Sequence, residues 1–239
     1  MQKTLFDRKS VRSYLDREVE QEKKELILTA ALRSATAGNM SLYKIIDIKD
    51  QKIKDQLAIS CDNQPFIATA PLALLFLVDY SGWYKLFKEK DPACKKPGMG
   101  DLFLGASDAL IAAQSAAICA QSLELGSCYI GDILEQAELH KEIFKLPQYT
   151  MPISLLLIGY PSQQQIDRPQ PPRFSKEAMV FSDVFEERSL NQLKEDLRNK
   201  NPRLGAEAQI DDLFHRKWTS DFLLEMERSV EKWLSWWDN

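Results

Sequence analysis

Residues 101–125 restrict the fold of this chain more than any other segment. One glycine and seven alanines recur there and leave hardly any polar face: Gly105, Ala106, Ala109, Ala112, Ala113, Ala116, Ala117 and Ala120. Asp101 is predicted to cap the start of a helix, and Gly126 to follow its end. A helix that is small and apolar all round must be buried all round. It is either the central helix of the domain or half of a tight subunit contact.

Strands and amphipathic helices alternate around this segment. Runs of apolar and β-branched residues predict strands, and apolar residues at three-to-four spacing predict helices. The strands are Leu42–Ile48, Leu72–Val78 and Ile153–Ile158, and the helices are Val19–Arg33 and Gln51–Leu57. The Gln- and Pro-rich residues 162–173 are predicted to be irregular. The chain is therefore α/β or α+β, with a strand order that the sequence does not reveal.

The sequence becomes charged and helical from Phe185 onward, with helices predicted at Asn191–Lys200 and Glu207–Trp237. Apolar residues return to one face of the second helix: Trp218, Phe222, Met226, Val230, Trp233, Leu234 and Trp237. We interpret this face as packing on the protein's own body or on a second subunit rather than as a ligand site. The predicted division is a domain at residues 1–184 and a helical extension at 185–239.

Composition excludes several classes of function. The 239 residues are 44% hydrophobic and carry a net charge of −4, which argues against nucleic-acid binding. Four scattered cysteines and two histidines predict neither disulfides nor a metal site, and they favour the cytoplasm. The apolar run at 70–78 is too short to span a bilayer, and charge near the start argues against a secretory signal. We expect the chemistry to belong to a cofactor.

Two short motifs are suited to a flat, phosphorylated ligand. Arg8, Lys9, Ser10 and Arg12 offer forked cations and a hydroxyl that suit a phosphate, although a solvated basic run is the alternative. The small residues of Thr36–Asn39, with Gly38 and the amide of Asn39, permit close approach of a ring, although a helix stop and turn would look the same.

Three further segments complete the pattern. The amide of Gln64 could read the polar edge of a heteroaromatic ring, or simply belong to a turn before Pro65. Tyr129, Ile130 and Gly131 are predicted to open a helix whose backbone N–H groups face an electron-rich ring. Arg173, downstream of Gly159-Tyr160-Pro161, could be a second arginine for the phosphate.

In this order, the motifs resemble the nitroreductase family of FMN-dependent oxidoreductases, nearest to its flavin-reductase-like branch. The resemblance covers residues 6–174. Five matched segments carry it: Arg8-Lys9-Ser10-Val11-Arg12 with Tyr14, Thr36-Ala37-Gly38-Asn39-Met40, Asn63-Gln64-Pro65-Phe66 leading to Ala70-Pro71, Tyr129-Ile130-Gly131, and Ile158-Gly159-Tyr160-Pro161.

The resemblance implies an α+β fold with a central mixed sheet flanked by helices, in an interlocked homodimer that binds FMN at the subunit interface. It implies that NAD(P)H reduces FMN and that a nitroaromatic, quinone or flavin acceptor follows by a ping-pong mechanism. No side chain is assigned as a general acid or base, no metal is implied, and no nucleic-acid or membrane partner is expected.

The resemblance also assigns roles to residues. Arg8, Lys9, Ser10 and Arg173 would hold the phosphate, Arg12 would support the N1/O2 edge of the flavin, and Gln64 would read its pyrimidine edge. The remaining contacts would come from Thr36, Ala37 and Asn39 of the other subunit, and from Tyr129, Ile130 and Gly131 near the dimethylbenzene ring and N5.

Three departures from the family pattern keep alternatives open. Ser41 stands where the family often has Gln, Asp132 stands where it often has a second Gly, and no lysine precedes Arg173, although Lys176 could compensate. Other chemistry on the same fold, such as reductive dehalogenation, ring dehydrogenation or flavin breakdown, is one alternative. A non-catalytic dimeric interaction module with its Trp-rich helix as the contact is the other.

Overall fold

The computed structural model describes residues 2–238, which divide into two compact units. The first unit ends at Arg168 and resumes at Glu225, and the second comprises Pro169–Leu224. The helices are α1 (Gln2–Asp7), α2 (Gln21–Leu32), α3 (Gln51–Ser60), α4 (Ser81–Lys90), α5 (Met99–Ser122), α6 (Ala137–Ile143), α7 (Gln163–Asp167), α8 (Lys176–Met179), α9 (Leu190–Lys200), α10 (Ala206–Leu213) and α11 (Asp221–Asp238). The assignment of residues 1–184 to flavin binding stays a prediction.

The first unit is built on a four-stranded sheet, which confirms the α+β class. The strands are β1 (Tyr43–Asp47), β2 (Leu72–Asp79), β3 (Gly126–Ile130) and β4 (Thr150–Gly159), in the order β1-β2-β4-β3. All three ladders are antiparallel, whereas a mixed sheet was predicted. Parallel pairing among the described residues is limited to a bridge between Ser10 and Ser127, because the chain before α2 lies beside β3.

Strand β2 lies in the centre of the sheet and is buried along its length except at Asp79, as its continuous apolar sequence predicted. One layer of core packs α2 and α5 on one side of the sheet. The other layer contains α3 residues and two tryptophans of α11 on the opposite side. Successive residues of β3 and β4 belong alternately to the two layers. These strands, which border the candidate site, are therefore packed on both faces.

Helix α5 begins and ends earlier than its sequence predicted. Gly98 is the residue before the helix, and the Asp101 carboxylate accepts a hydrogen bond from the Gly98 N–H at 2.9 Å. Asp101 therefore caps from within the first turn rather than from the cap position. Gly126 is the first residue of β3, and Glu124 takes the left-handed conformation after the helix at φ 63°.

The two faces of α5 differ in size and exposure. The small residues other than Ala106 are buried, and Gly105 is required because a Cβ there would lie 2.1 Å from Val78 Cγ2. Large apolar side chains on the other face are exposed: Phe103, Leu104, Leu110 and Ile111. The helix is therefore not buried all round within one chain. It is also long and apolar enough to cross a membrane, a test that a core helix packed on a sheet passes equally.

The last part of helix α11 belongs to the first unit and packs in its core through two tryptophans. Trp233 and Trp237 are 1% and 2% exposed, and their indole N–H groups donate to Leu134 O at 2.9 Å and Gly98 O at 3.1 Å. The single helix predicted for 207–237 is instead interrupted at 214–218 by a π-helical turn, where Trp218 is 73% exposed. The tryptophans at the end of the predicted apolar face are therefore buried, whereas Trp218 at its start is exposed.

The second unit consists of α8, α9 and α10 with the first residues of α11. Arg188 pairs with Asp196, their closest oxygen and nitrogen atoms lying 2.6 Å apart. The buried amide of Gln209 donates to the carbonyls of Leu197 and Gly205 at 2.7 Å each. Polar contacts rather than large buried side chains therefore connect these helices.

Candidate active site

The segment Arg8–Arg12 lies against the edge strand β3. The Val11 N–H donates to Ser127 O at 2.9 Å, directly beside the bridge between Ser10 and Ser127. This close approach requires Gly126, since a Cβ there would lie 2.5 Å from Val11 Cγ2. The basic motif is thus fixed by backbone pairing rather than lying free on the surface.

Three arginines act electrostatically on one residue of β3. Burial raises the pKa of the Cys128 thiol, and the positive charges of Arg12, Arg8 and Arg168 oppose that rise. Neither Arg12 nor Arg168 forms a salt bridge within residues 2–238. Arg12 and Arg168, which lack a carboxylate partner among these residues, favour an external anion, and guanidinium groups suit a phosphate.

The loop after β4 forms hydrogen bonds with the basic motif. Arg168 donates from Nη2 to Ser10 O, and its Nε is buried without a hydrogen-bond partner. Lys9 donates from Nζ to Ile166 O at 2.8 Å and also to Arg168 O, so its ammonium group holds this loop. The buried Gln165 accepts a hydrogen bond from the Arg12 N–H at 3.2 Å.

Sequence reasoning missed Arg168 and Gln165. Residues 162–173 were predicted to be irregular, but Gln163–Asp167 forms the short helix α7, and this helix positions both residues. The Gln-rich composition does not indicate the helix α7. The only signal available in the sequence was Arg168 itself, seven residues after Pro161.

Arg173 belongs to the second unit, where its guanidinium donates to Pro171 O at 3.1 Å and Pro172 O at 3.3 Å. Its side chain is exposed. The role that the family resemblance gives it, at the phosphate, stays a prediction.

Gln64 and Asp132 meet at the opposite end of β3 from Gly126. The Gln64 amide nitrogen donates to Asp132 Oδ2 and to Cys61 O, each at 2.8 Å. Burial raises the pKa of the Cys61 thiol, and the nearby Asp132 carboxylate adds to the rise. Two of the segments that sequence analysis singled out are thus joined by one side-chain hydrogen bond.

Tyr129, Ile130 and Gly131 do not open a helix. Tyr129 and Ile130 are the last residues of β3, and only a short 3₁₀ turn, Asp132–Leu134, follows Gly131. The Tyr129 hydroxyl donates to Gln114 Oε1 on α5 at 3.1 Å, while Ile130 is buried in the core. The β-branched and aromatic residues of this segment favour a strand, which explains the error.

The Thr36–Asn39 loop is fixed by a buried acid that sequence reasoning missed. Asp108 of α5 accepts hydrogen bonds from the Ala37 N–H at 2.9 Å and the Leu42 N–H at 3.2 Å. Thr36 Oγ1 accepts from the Ser41 N–H at 3.2 Å, and Asn39 takes a left-handed conformation at φ 57°. One acidic residue on an otherwise apolar helix face was the available signal.

A cleft of about 580 Å³ opens in the first unit beside Arg12. The segment Arg12–Glu18 lines one part of it, and Pro65, Phe66 and Thr69 line another. The cleft therefore lies between the segment that begins at Arg12, the last residue of the basic motif, and the segment that follows Gln64. Among the described residues, no group of three or more His, Cys, Asp or Glu side chains could hold a metal ion.

Comparisons with known proteins show the family of this chain. The model of the nitroreductase family matches residues 5–160. The chain is 32% identical over 174 residues to an FMN reductase [NAD(P)H] of Bacillus subtilis, covering 72% of this chain and 70% of the relative. It is 28% identical over 186 residues to an oxygen-insensitive NADPH nitroreductase of Salmonella typhimurium, covering 76% and 73%.

A solved structure, that of B. megaterium NfrA2, has a TM-score of 0.76 to this chain at 25% identity. It covers 95% of this chain, which in turn covers 96% of it. The family match includes every segment that forms the site except the loop after Pro161. The chain belongs to the nitroreductase family, and it is an oxidoreductase.

Proposed function

We propose that this enzyme passes hydride from NAD(P)H to a nitroaromatic, quinone or flavin acceptor by a ping-pong mechanism. That it is an FMN-dependent NAD(P)H oxidoreductase follows from its family and from relatives named as an FMN reductase [NAD(P)H] and an NADPH nitroreductase. When bound, FMN supplies the hydride chemistry at N5, and the protein supplies binding, orientation and charge.

The observation that carries the proposal is the basic segment Arg8–Arg12 paired with β3 and contacted by Arg168. Arg8, Arg12 and Arg168 act on the same buried thiol of Cys128, and the phosphate of FMN is an anion that such a cluster would bind. Arg8, Ser10 and Arg168 would hold it, with Lys9 fixing the loop that carries Arg168. The family resemblance gives Arg173 a role at the same phosphate.

Arg12 has a separate role in this proposal. Its exposed guanidinium lies beside the cleft and acts electrostatically on Tyr14 and Cys128. At the N1/O2 edge of the flavin it would stabilise the negative charge that reduction places there. We expect Arg12→Ala to lower the flavin potential and to slow reduction by NAD(P)H. An unchanged potential would remove Arg12 from this role.

The exposed face of α5 favours a homodimer. Phe103 is 71% and Ile111 47% exposed, and both belong to an apolar stripe that a second copy would cover. The Thr36–Asn39 loop is attached to the same helix through Asp108, so a dimer across α5 would carry this loop toward the partner's site. Sedimentation of wild type and Ile111→Arg would test this, with a dimer expected only for wild type.

We also propose a cytoplasmic enzyme without nucleic-acid or membrane partners. All four cysteines are free thiols, as a reducing compartment favours, and the net charge of −4 opposes binding to nucleic acid.

Initial-rate kinetics test the proposed reaction. Protein saturated with FMN should oxidise NADH or NADPH in the presence of a nitroaromatic, a quinone or free FMN. Double-reciprocal plots at several acceptor concentrations should be parallel, as a ping-pong mechanism requires. Intersecting lines would exclude that mechanism, and no turnover with any of these acceptors would favour other chemistry on this fold.

A further inference from the structure

The hydrogen bonds of Gln64 fix which end of its amide is available. Its nitrogen donates to Cys61 O and Asp132 Oδ2, each at 2.8 Å. A carbonyl and a carboxylate only accept hydrogen bonds, so the NH₂ group must face both of them. The Gln64 carbonyl oxygen has no donor within residues 2–238, and it is therefore the atom that remains for a ligand.

The backbone turn that carries Asp132 is anchored by its neighbours. It follows β3 at the start of the turn Asp132–Leu134, and the next residue, Ile133, is fully buried. Buried His140 donates from Nδ1 to Ile133 O at 2.9 Å, and its Nε2 accepts from the Ser60 hydroxyl at 2.7 Å. This contact connects the turn to α3, the helix that precedes Gln64.

We propose that Asp132 is a positioning residue that fixes Gln64 as a hydrogen-bond acceptor for the flavin N3–H. This inference rests on the proposed function, in which Gln64 meets the pyrimidine edge of the flavin. That edge offers one donor, N3–H, between two carbonyl acceptors, O2 and O4. An amide that could turn over would bind either kind of atom, whereas the bonds to Asp132 and Cys61 O together leave the Gln64 carbonyl oxygen for a donor, which on this edge is N3–H.

A residue without a side-chain acceptor at position 132 would leave Cys61 O as the one remaining acceptor for the Gln64 amide nitrogen among residues 2–238. Removing the Asp132 carboxylate should leave the Gln64 amide held by Cys61 O alone, so the amide should turn over more readily. An asparagine at 132 would still accept through its own carbonyl oxygen.

FMN labelled with ¹⁵N at N3 provides a direct readout. In the wild-type complex, the N3 resonance should show a hydrogen-bonded N3–H. In Asp132→Ala, the resonance should move toward that of free FMN, and the dissociation constant of FMN should rise about fivefold, the effect of one hydrogen bond. Asp132→Asn should restore both values, with thermal unfolding showing that each variant folds.

A second variant separates positioning from a general structural effect. Gln64→Ala should move the N3 resonance as Asp132→Ala does, and adding Asp132→Ala to it should change nothing further. An N3 resonance that is the same in wild type and Asp132→Ala would overturn the inference, as would additive effects in the double variant. If wild type binds no FMN, the proposed function itself fails.

Discussion

The two units of this protein are stabilised in different ways. The first unit buries β2 and two tryptophans of α11, whereas in the second unit only Ala206 and Gln209 are buried among the described residues. Apolar burial supplies most folding free energy, so the first unit should open only with global unfolding. The second unit relies on polar contacts and should open locally at lower free energy.

Trp233→Ala should have the largest effect on stability. The indole is 1% exposed and donates to Leu134 O, so its removal should lower the free energy of unfolding by about 3–5 kcal/mol. Trp218, which is 73% exposed in the second unit, is the matched control, and its substitution by Ala should change the value by less than about 0.5 kcal/mol. Equal effects in urea denaturation would contradict the difference between the units.

Adding a methyl group at Gly105 of α5 should have the next largest effect on stability. Gly105→Ala places a Cβ 2.1 Å from Val78 Cγ2 and should destabilise the protein by about 1–3 kcal/mol. Gly100 lies on the same helix with nothing within 4 Å, so Gly100→Ala should stabilise slightly through helix propensity. Thermal denaturation of both variants would show whether α5 packs against Val78 as closely as this distance implies.

The second unit should respond locally to the loss of one amide. Gln209→Leu removes the donors to Leu197 O and Gly205 O and should weaken this unit by about 1–2 kcal/mol. Amide hydrogen exchange should accelerate in α9 and α10 and stay unchanged in β2. Faster exchange throughout the chain would instead mean that the units unfold together.

The smallest effect concerns pH. Burial lowers the pKa of His140 below its usual value of 6.5, and its hydrogen bonds to backbone carbonyls only partly oppose this. The unfolded chain therefore binds the proton first, so stability is complete above about pH 6.5 and falls as pH decreases, by at most about 1.4 kcal/mol per pH unit. His140→Asn should flatten that decline in denaturation curves measured between pH 7 and 5.

Sequence patterns predicted the first unit better than the second. The apolar run at 72–78 and the motifs of the nitroreductase family led to the right strand and the right class, because burial and backbone pairing leave a periodic signal. The π-helical break at 214–218 left no such signal, since Trp218 continues the pattern of buried tryptophans but is exposed.

In the site, the basic motif could be predicted, but its partners could not. Arg168 reaches Ser10 from a turn whose composition suggested no structure, and Asp108 acts on a loop more than sixty residues earlier. Such contacts depend on the tertiary fold and not on local spacing. Both residues therefore became apparent only from the hydrogen bonds.

Binding of FMN compared with riboflavin tests the central claim most directly, because the two ligands differ only in the phosphate. Charge-assisted hydrogen bonds from two or more arginines should make FMN bind about 100-fold more tightly or better. Fluorescence titrations of wild type, Arg168→Gln and Arg173→Gln should show this preference reduced most in Arg168→Gln, with riboflavin affinity unchanged. Equal affinity of the wild-type protein for FMN and riboflavin would contradict a phosphate site at the arginine cluster.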